Sequence, residues 1–393
     1  MMSYLRGWNR VTDRIVVFNG SKRDFDNYLN NAIENNSGSI PFMELIQHYN
    51  ARIRPSESGV KEADLHKKIQ VENCIVRADD YSSVLPHVLS NFANIVALNY
   101  DIDTLYIQNP PRRVLESLET SFAGAINYEY SVYPSIGRKE LREIYRNISL
   151  DVLGQESCKK HLLSGLYRLT TGSTEKPVVL MLYGPSGVGK TESAKSISKS
   201  LGGKLLRIQF SMMQNQESID YIFGADHSKN SFARDMLGRE SNVIIIDEFD
   251  KVNPHFYNAF YELFDEGRYV DTNYDLNLKQ AIFLLTCNYN NEQEIKTALG
   301  PAMFSRIGCC IKFDELSTDQ KRTIITNWYK EILDSLQSDE KAFIETTNVL
   351  EWFIKNASRY DNIRTLKTKL ENAVFDKLTE HYILGKYSND STI

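Results

Sequence analysis

An unbroken apolar run that leads directly into a glycine-rich loop constrains the fold of this chain more than any other feature. The run is VVLMLY (178–183), and the loop after it is GPSGVGKT (184–191). Such a run predicts a strand buried on both faces, as in a parallel sheet with helices on either side. A glycine-rich loop before a helix turns backbone N–H groups inward around a phosphate, and the helix dipole adds to the attraction. The sequence therefore predicts an α/β fold with a nucleotide site at this loop.

Two side chains at the end of the loop have distinct predicted roles. Lys190 reaches the β- and γ-phosphates of ATP, and the hydroxyl of Thr191 ligates Mg²⁺. The loop residues predicted to contact the nucleotide are Gly184, Pro185, Ser186, Gly187, Val188, Gly189, Lys190 and Thr191. The competing interpretation is a chance match to the fixed positions of the motif, and the strand–loop–helix setting argues against it.

A pair of carboxylates follows a second apolar run. The segment VIIIDE (243–248) places Asp247 at the carboxyl end of a predicted strand, where open α/β sheets bind their ligands. Asp247 is predicted to hold Mg²⁺ through water, and Glu248 is predicted to polarise the attacking water as the general base. The alternative is a strand that runs into an acidic turn capping Lys251, and the preceding phosphate-binding loop disfavours it.

Apolar runs recur between residues 150 and 313, with helical segments between them. In addition to VVLMLY, they are KLLRIQ (204–209), NVIIID (242–247), AIFLLT (281–286) and CCIKF (309–313). Five such strands alternating with helices predict a parallel five-stranded sheet with helices on both faces. Three helical stretches with apolar residues at three- and four-residue intervals then follow, at 317–337, 340–357 and 362–383. They predict a small helical bundle.

The residues before this region predict a separate α+β domain. The segments IVALNY (95–100) and TLYIQ (104–108) are predicted to pair as a hairpin, with helical segments around them. No nucleophile–base pair and no metal-ligand spacing stands out in this part of the sequence. Shifts in composition divide the chain into three predicted domains, at residues 1–147, 148–314 and 315–393.

Net charge, hydropathy and cysteine content limit the possible functions and the expected location of the chain. The net charge of −5 provides no global basic field for nucleic acid or anionic lipid, so nucleic-acid binding is not expected. No apolar run approaches the ~20 residues of a membrane-spanning helix, and the N-terminal sequence lacks the pattern of a signal peptide. The 5 cysteines show no paired spacing, which suits a reducing compartment, so the predicted location is the cytoplasm.

Four motifs in a fixed order resemble the AAA+ module of the Clp-type unfoldases. They are GPSGVGKT (184–191), IIIDEFDK (244–251), LLTCN (284–288) and PAMFSRI (301–307). The resemblance covers roughly residues 148–383 and implies an Mg-ATP-dependent ATPase with a helical lid. It also implies that VLGQESCKKHLL (152–163) lies beside the adenine, with Gly154 and Gln155 at matching positions.

The resemblance assigns roles to three polar residues outside the phosphate-binding loop. Asn288 matches the sensor that orients the attacking water, and a simple turn cap is the alternative. Arg306 matches the arginine finger that a neighbouring subunit's site receives, and a surface arginine is the alternative. Arg364 matches the sensor arginine of the lid. Because Asn362 replaces the family's usual glycine, an ordinary helix-start arginine is the alternative there.

Two loops bear on what such an ATPase would act on. Residues 224–231 are short and polar, and they lack the aromatic–apolar–glycine loop that faces the pore in substrate-threading members. Residues 267–274 carry Tyr269 and Tyr274, which are predicted either to grip a substrate or to lie on the solvent side of a hairpin. The missing aromatic residue makes the module similar to the torsin branch, which remodels partners without obvious processive threading.

The leading hypothesis is a ring-forming, hexameric ATPase that remodels a protein partner. Residues 1–147 would recruit the partner, and Arg306 would act in trans between subunits. One alternative is an ATP-gated binding or switch module, such as a defence-type effector assembly, in which hydrolysis times disassembly without threading. A nucleic-acid loader is a further alternative, which the acidic balance disfavours.

Overall fold

The computed structural model describes residues 12–33, 38–53, 68–172, 176–210 and 216–385. These residues form two five-stranded parallel sheets with flanking helices, a two-stranded hairpin and a C-terminal helical bundle. Within the described ranges, no helix combines the length and the apolar character that crossing a membrane requires.

The first sheet lies in the N-terminal part of the chain, and its described strand pairings are all parallel. Its strands, in the spatial order β2-β3-β4-β1-β5, are β1 (Thr12–Asn19), β2 (Ser39–Pro41), β3 (Ile69–Val76), β4 (Tyr100–Gln108) and β5 (Ile126–Tyr130). The helices between them are α1 (Lys22–Ala32), α2 (Phe42–Ile53), α3 (Pro86–Ser90), α4 (Phe92–Asn99) and α5 (Arg112–Ser121). Strands and helices alternate around a parallel sheet, so the predicted α+β class is wrong for this part of the chain.

The predicted hairpin between residues 95–100 and 104–108 is also wrong. Most of the first segment belongs to helix α4, and Tyr100–Gln108 is one continuous strand in the middle of the sheet. Ile95 and Val96 pack in the same buried cluster as the strand residues. A short apolar run suits a buried helix as well as a strand, because periodicity alone does not separate the two.

The second sheet confirms the predicted parallel five-stranded arrangement. Its strands, in the spatial order β12-β6-β11-β8-β7, are β6 (Val178–Tyr183), β7 (Leu206–Gln209), β8 (Val243–Asp247), β11 (Ile282–Thr286) and β12 (Cys309–Lys312). The short antiparallel hairpin of β9 (Arg268–Val270) and β10 (Asp275–Asn277) stands apart from it. Strands β6, β8 and β11 are buried along their whole length, because helices cover both faces.

The described residues between 138 and 385 form a second unit, in which helices flank this sheet and continue into the C-terminal bundle. Around the sheet they are α6 (Arg138–Asp151), α7 (Glu156–Tyr167), α8 (Lys190–Ser200), α9 (Gln216–Phe223), α10 (Phe232–Leu237), α11 (Tyr257–Glu266) and α12 (Glu292–Phe304). The bundle contains α13 (Thr318–Ser335), α14 (Ser338–Glu345), α15 (Val349–Lys355) and α16 (Ile363–Leu378). The middle stretch, predicted as one helix at 340–357, is therefore two helices.

The core of the second unit has one apolar cluster on each face of the sheet. Along β8, Ile246 packs in a cluster with Phe260, whereas the neighbouring Ile245 packs in a cluster with Ile197 on the other face. Alternate residues of a strand point to opposite faces, which explains why this strand is apolar throughout.

Helix α6 packs with the second unit. Its residues Ile144 and Ile148 are buried in the cluster that contains Leu180 of β6. The helix runs across residue 147, where the sequence predicted a domain boundary. The division into three functional domains stays a prediction.

Both interpretations of Tyr269 and Tyr274 are wrong, because the two side chains lie in the core. Tyr269 is 1% exposed and Tyr274 is 5% exposed. The Tyr269 ring is 4.7 Å from the Phe232 ring, and its hydroxyl donates a hydrogen bond to the carbonyl of Ile222. The β9–β10 hairpin thus folds its tyrosines inward against α9 and α10, and neither ring is available to a substrate in this arrangement.

Candidate nucleotide site

The glycine-rich loop joins the carboxyl end of β6 to the first turn of α8. Gly184 has a φ of +127° and Gly189 a φ of +105°, in the region that favours glycine. A Cβ atom on Gly184 would lie 2.2 Å from the carbonyl oxygen of Phe313. Glycine at position 184 is therefore required by both its backbone conformation and the close approach of the neighbouring strand end.

Lys190 is the central cation of the site. Its Nζ donates to the carbonyl oxygens of Gly184 at 2.5 Å and Pro185 at 2.8 Å, and to Oδ1 of Asn288 at 3.0 Å. The residue is 8% exposed, and burial lowers the pKa of its ammonium below the usual value. The amine thus spans the space between the loop and the carboxyl end of β11.

Asp247 stands at the carboxyl end of β8 and makes two polar contacts across the sheet edge. The Thr286 hydroxyl, at the end of β11, donates to its Oδ1. The Arg207 guanidinium, on β7, approaches its Oδ2 at 2.5 Å. Neighbouring parallel strands end at the same edge, so a carboxylate, a hydroxyl and a guanidinium from three strands come together.

Glu248 follows directly and has an uncommon backbone conformation. Its φ of +55° is left-handed, which few residues other than glycine adopt, and its amide nitrogen donates to Oγ1 of Thr286 at 2.9 Å. Gln209 Nε2 is 3.5 Å from its carboxylate. Strain of this kind is typical of functional residues held by their surroundings.

A cavity of about 400 Å³ connects these groups. Its charged and polar lining contains Ser186, Lys190, Thr191, Glu192, Lys195, Arg207, Gln209, Asp247, Glu248, Thr286, Asn288 and Arg364, together with Gly187 and Gly189. Four of these side chains are cationic and three are carboxylates. The cations suit a polyphosphate, and the carboxylates suit a divalent cation and a water nucleophile.

The oxygen donors of the cavity fit the magnesium ion that the sequence predicts. The Thr191 hydroxyl and the Asp247 carboxylate are hard ligands of the kind that Mg²⁺ prefers. Among the described residues, no group of three His, Cys, Asp or Glu side chains could hold a metal by itself. Mg²⁺ in nucleotide sites takes one or two protein ligands together with phosphate and water, so this donor set is sufficient.

Arg364 lies in the same cavity, at the start of α16. Asn362, which replaces the glycine of the family pattern, caps this helix: its Oδ1 accepts from the amide nitrogen of Arg364 at 2.8 Å. The substitution at position 362 therefore supplies a helix cap and leaves the arginine side chain at the cavity.

Several predicted residues are not part of the cavity lining. Gly184, Pro185 and Val188 belong to the loop but do not line the cavity. Gly154 and Gln155 do not line it either, and the Gln155 side-chain amide bonds to both backbone groups of Asp314, at 2.8 and 3.1 Å. Their predicted contact with the adenine stays a prediction.

Arg306 also lies away from the cavity of its own chain. Its Nε donates to Oδ2 of Asp265 at 2.7 Å, and its guanidinium stacks 4.3 Å over the Tyr261 ring. A residue that acts in a neighbouring subunit must lie outside its own site, and this position meets that requirement. The trans role itself stays a prediction.

Sequence reasoning missed five lining residues, Glu192, Lys195, Arg207, Gln209 and Thr286, of which the last three contact the acidic pair. Arg207 and Gln209 are alternate residues near the carboxyl end of β7, beside β8, and Thr286 ends β11. Polar residues at strand ends in a parallel sheet are a signal that could have identified them, because ligands bind at that edge.

Comparisons with known proteins agree with this geometry. A family model described as the AAA domain (Cdc48 subfamily) matches residues 175–373, just over half of the chain. The chaperone protein ClpB of Malacoplasma penetrans (strain HF-2) is 24% identical over 280 residues, which cover 65% of this chain and 40% of that protein. The ATP-dependent Clp protease ATP-binding subunit ClpL of Staphylococcus aureus (strain bovine RF122 / ET3-1) is 24% identical over 273 residues. The match covers 62% of this chain and 39% of that protein.

A third relative, the chaperone protein ClpB of Bacillus cereus (strain ATCC 14579), is 23% identical over 293 residues. The match covers 65% of this chain and 34% of that protein. The chain thus spans about two fifths or less of the length of these curated relatives.

Proposed function

The chain belongs to the AAA domain family (Cdc48 subfamily) and is an ATPase related to Clp chaperones, and from this premise we propose how and on what it acts. It binds Mg-ATP at residues 184–191, hydrolyses it with Glu248 as the general base, and uses the energy to remodel a protein partner. The observation that carries the proposal is that Lys190, Asp247 and Glu248 line one cavity at the carboxyl edge of the second sheet.

The residues of the cavity divide the chemistry among them. Water attacks the γ-phosphorus, the bond to the bridging oxygen of the leaving ADP breaks, and Glu248 accepts the proton of the water. Lys190 neutralises charge on the β- and γ-phosphates, and Asn288, 3.0 Å from its amine, orients the water. Thr191 and Asp247 would hold Mg²⁺, which would supply positive charge to the phosphate oxygens.

Thr286 positions both acidic residues at once. Its hydroxyl donates to Asp247 and accepts from the backbone amide of Glu248, so the metal-binding carboxylate and the base share one anchor. Gln209, on the neighbouring strand β7, approaches the Glu248 carboxylate at 3.5 Å. Restraints of this kind hold a catalytic group in one geometry, which lowers the entropic part of the barrier.

Two arginines complete the proposed site. Arg364, on the helical bundle, contributes charge from the lid, and it couples closure of the bundle to the presence of the nucleotide. Arg306 leaves Asp265 and reaches the site of the adjacent subunit in a hexameric ring. A finger supplied in trans stabilises transition-state charge and makes turnover depend on assembly.

A second candidate function is an ATP-gated binding or switch module, in which hydrolysis times release. Burial of Tyr269 and Tyr274 favours this candidate, because threading needs exposed grip residues in the channel. The loop at 224–231 is polar and contains no aromatic side chain to replace them. Under this candidate a partner binds the assembled ring and is released without being pulled through it.

The test uses Glu248→Gln with ATP and Mg²⁺, which keeps nucleotide binding and stalls hydrolysis. Particle mass and co-purified proteins are measured against a matched variant, Glu266→Gln, whose side chain is exposed on α11. A hexamer-sized particle that retains one specific protein supports remodelling. A particle of the same size with no protein supports the gated module, and a monomer in saturating ATP would contradict the trans role of Arg306.

A further inference from the structure

The N-terminal unit, residues 12–133, rests on two loops of the second unit. The amide nitrogen of Arg112 donates to the carbonyl oxygen of Asn273 at 2.7 Å, in the loop at residues 271–274. The loop at residues 224–231 brings His227 Nε2 to 2.9 Å from the carbonyl oxygen of Val84. The loop at 224–231 stands where substrate-threading members carry a pore-facing loop, and the loop at 271–274 belongs to the segment 267–274, so the N-terminal unit contacts both.

Residues in and after α10 extend the contact between the two units. Arg234, in α10 directly after the 224–231 loop, donates to the Ser82 hydroxyl at 3.0 Å. The Arg239 guanidinium stacks 4.5 Å over the ring of Tyr133, and the Tyr133 hydroxyl donates to the Arg239 carbonyl at 3.1 Å. These contacts are hydrogen bonds and a cation–π contact, and polar interfaces between domains of one chain allow the domains to move.

Asp271 forms hydrogen bonds within both loops, below this contact. Its carboxylate accepts from the amide nitrogens of Asn273 and Tyr274 at 2.7 Å each, and from the Ser231 hydroxyl at 3.0 Å. The residue is 6% exposed, and a Cβ on Gly224 would meet its Cγ at 3.0 Å. Because the loops share this buried carboxylate, a shift of one moves the other.

A chain of buried rings leads from the catalytic carboxylate to these loops. Phe249 follows Glu248, and its ring centroid is 5.9 Å from that of Phe260. Phe260 is 5.7 Å from Phe232, and Phe232 is 4.7 Å from Tyr269. Phe232 begins α10, which carries Arg234, and Tyr269 lies on the strand that leads to Asp271. Close-packed rings transmit displacement, because the core has little free volume to absorb it.

We propose that the N-terminal unit is the part of the molecule that ATP turnover moves. The N-terminal unit contacts the loops at 224–231 and 271–274. The chain of rings Phe249–Phe260–Phe232–Tyr269 connects these loops to Glu248, which Phe249 directly follows. The inference rests on the proposed function, in that it takes Glu248 as the residue that responds to ATP. It assigns the loops to an intramolecular partner, and the N-terminal unit delivers the motion to whatever it binds.

The test is hydrogen exchange of the full-length chain, followed at the amide of Arg112. Pro110 and Pro111 have no amide hydrogen, so a peptide that starts there reports the α5 start without interference from the residues before it. Exchange is compared for Glu248→Gln without nucleotide, with Mg-ATP and with Mg-ADP. We expect the Arg112 amide to exchange about tenfold differently between the ATP-bound and nucleotide-free states.

Two further variants probe the chain of rings on the Glu248→Gln background. Phe232→Leu keeps an apolar side chain but removes the ring contacts, and the ATP-dependent difference at Arg112 should then fall below about twofold. Phe353→Leu changes a buried phenylalanine of the helical bundle outside the chain of rings and should leave the difference intact. Thermal melting identifies any variant that fails to fold, and ATP affinity is measured for each.

The outcomes separate this inference from the proposed function. If Glu248→Gln hydrolyses ATP as fast as the unmodified chain, the proposed function fails. If hydrolysis is lost and ATP binds, but the Arg112 amide exchanges equally in every nucleotide state, the N-terminal unit does not move and the inference alone is overturned. Equal loss of the ATP-dependent difference in Phe232→Leu and Phe353→Leu would overturn the role of the rings.

Discussion

The two parallel sheets of this chain share an architecture but end in chemically different edges. At the carboxyl edge of the second sheet, Asp247 and Glu248 line an open cavity with Lys190, whose amine donates to Asn288. In the first sheet, Asn109 stands at the end of β4, and its side-chain amide accepts from the Gly20 amide at 2.8 Å and donates to the Gly20 carbonyl at 2.9 Å.

The difference lies in what the polar groups bond to. In the first sheet, neutral amides satisfy the backbone of the adjacent strand end: Gln108 also donates to the Gly20 carbonyl, at 3.2 Å. In the second sheet, charged groups converge on a space that a ligand can fill. A parallel sheet supplies a favourable position at its carboxyl edge, and the side chains at the strand ends decide whether that position becomes a binding site or a structural joint.

The largest effect we expect is at Arg306, which we propose reaches the site of a neighbouring subunit. Arg306→Ala should lower ATP turnover by about 10³-fold at saturating protein, because a trans finger contributes that much or more. Mixing this variant with Lys190→Ala should restore part of the turnover, since each variant supplies what the other lacks. Steady-state ATPase assays measure both, and Arg268→Ala, an exposed arginine paired with Asp275, is the control.

If Arg306→Ala retains full turnover, or if the mixture recovers nothing while mixed particles form, the arginine has no trans role. Its contacts with Asp265 and Tyr261 would then be its function, and the loss of those contacts would appear as a stability change alone.

The next effect concerns nucleotide affinity. Lys190→Ala should weaken ATP binding by roughly 10- to 100-fold, because a hydrogen bond to a charged phosphate contributes about 1.5–3 kcal/mol. Lys199→Ala, an exposed lysine on the same helix α8, should leave affinity within about twofold. Titration with a fluorescent ATP analogue measures both affinities. If the two variants weaken ATP binding equally, the effect of Lys190 reflects only the overall positive charge of the chain.

A matched pair of substitutions distinguishes the roles of the two sheet edges. Thr286→Val removes the hydroxyl shared by Asp247 and Glu248 and should slow turnover about tenfold, with a smaller change in ATP affinity. Asn109→Ala removes two hydrogen bonds to Gly20 and should lower the free energy of unfolding by about 1–3 kcal/mol without changing ATP affinity. Chemical denaturation and ATPase assays are applied to both, and a swap of the two phenotypes would refute the distinction.

The smallest effect is a pH dependence confined to the second edge. Burial lowers the pKa of Lys190, so in the nucleotide-free chain the unfolded state binds more protons between that lowered pKa and the ordinary value near 10.4. Stability contributed by this group therefore rises with pH across that window. Lys190→Met should remove the rise, and Asn109→Ala should retain it. Denaturation curves at several pH values give the free energy of unfolding as a function of pH. If this dependence has the same slope in the unmodified chain and in Lys190→Met, the amine is not desolvated.

Local motifs made the second edge predictable. The loop at 184–191 and the carboxylate pair at 247–248 each stand directly after a buried apolar run, so a short segment defines both the strand and the chemistry at its end. Arg207, Gln209 and Thr286 were not predicted, because their importance depends on which strands are neighbours in space. Strand order is set by long-range pairing, which periodicity does not record.

The tyrosines of the β9–β10 hairpin illustrate a different limit. Tyr269 and Tyr274 lie in a segment rich in polar residues, which favours exposure on sequence grounds. Their burial depends on how the hairpin folds onto α9 and α10 and on the N-terminal unit above it. In the first sheet, burial in a separate apolar core accompanies a helix followed by a central strand where the sequence predicted a hairpin at 95–108.

We propose that the carboxyl edge of the second sheet hydrolyses ATP with Glu248 as the base. ATP turnover of Glu248→Gln is therefore measured beside that of Glu266→Gln, with ATP affinity determined on the same preparations. We predict that Glu248→Gln loses about 10²- to 10⁴-fold in turnover and binds ATP as well as the control does. Turnover equal to that of Glu266→Gln, with ATP bound, would contradict the claim.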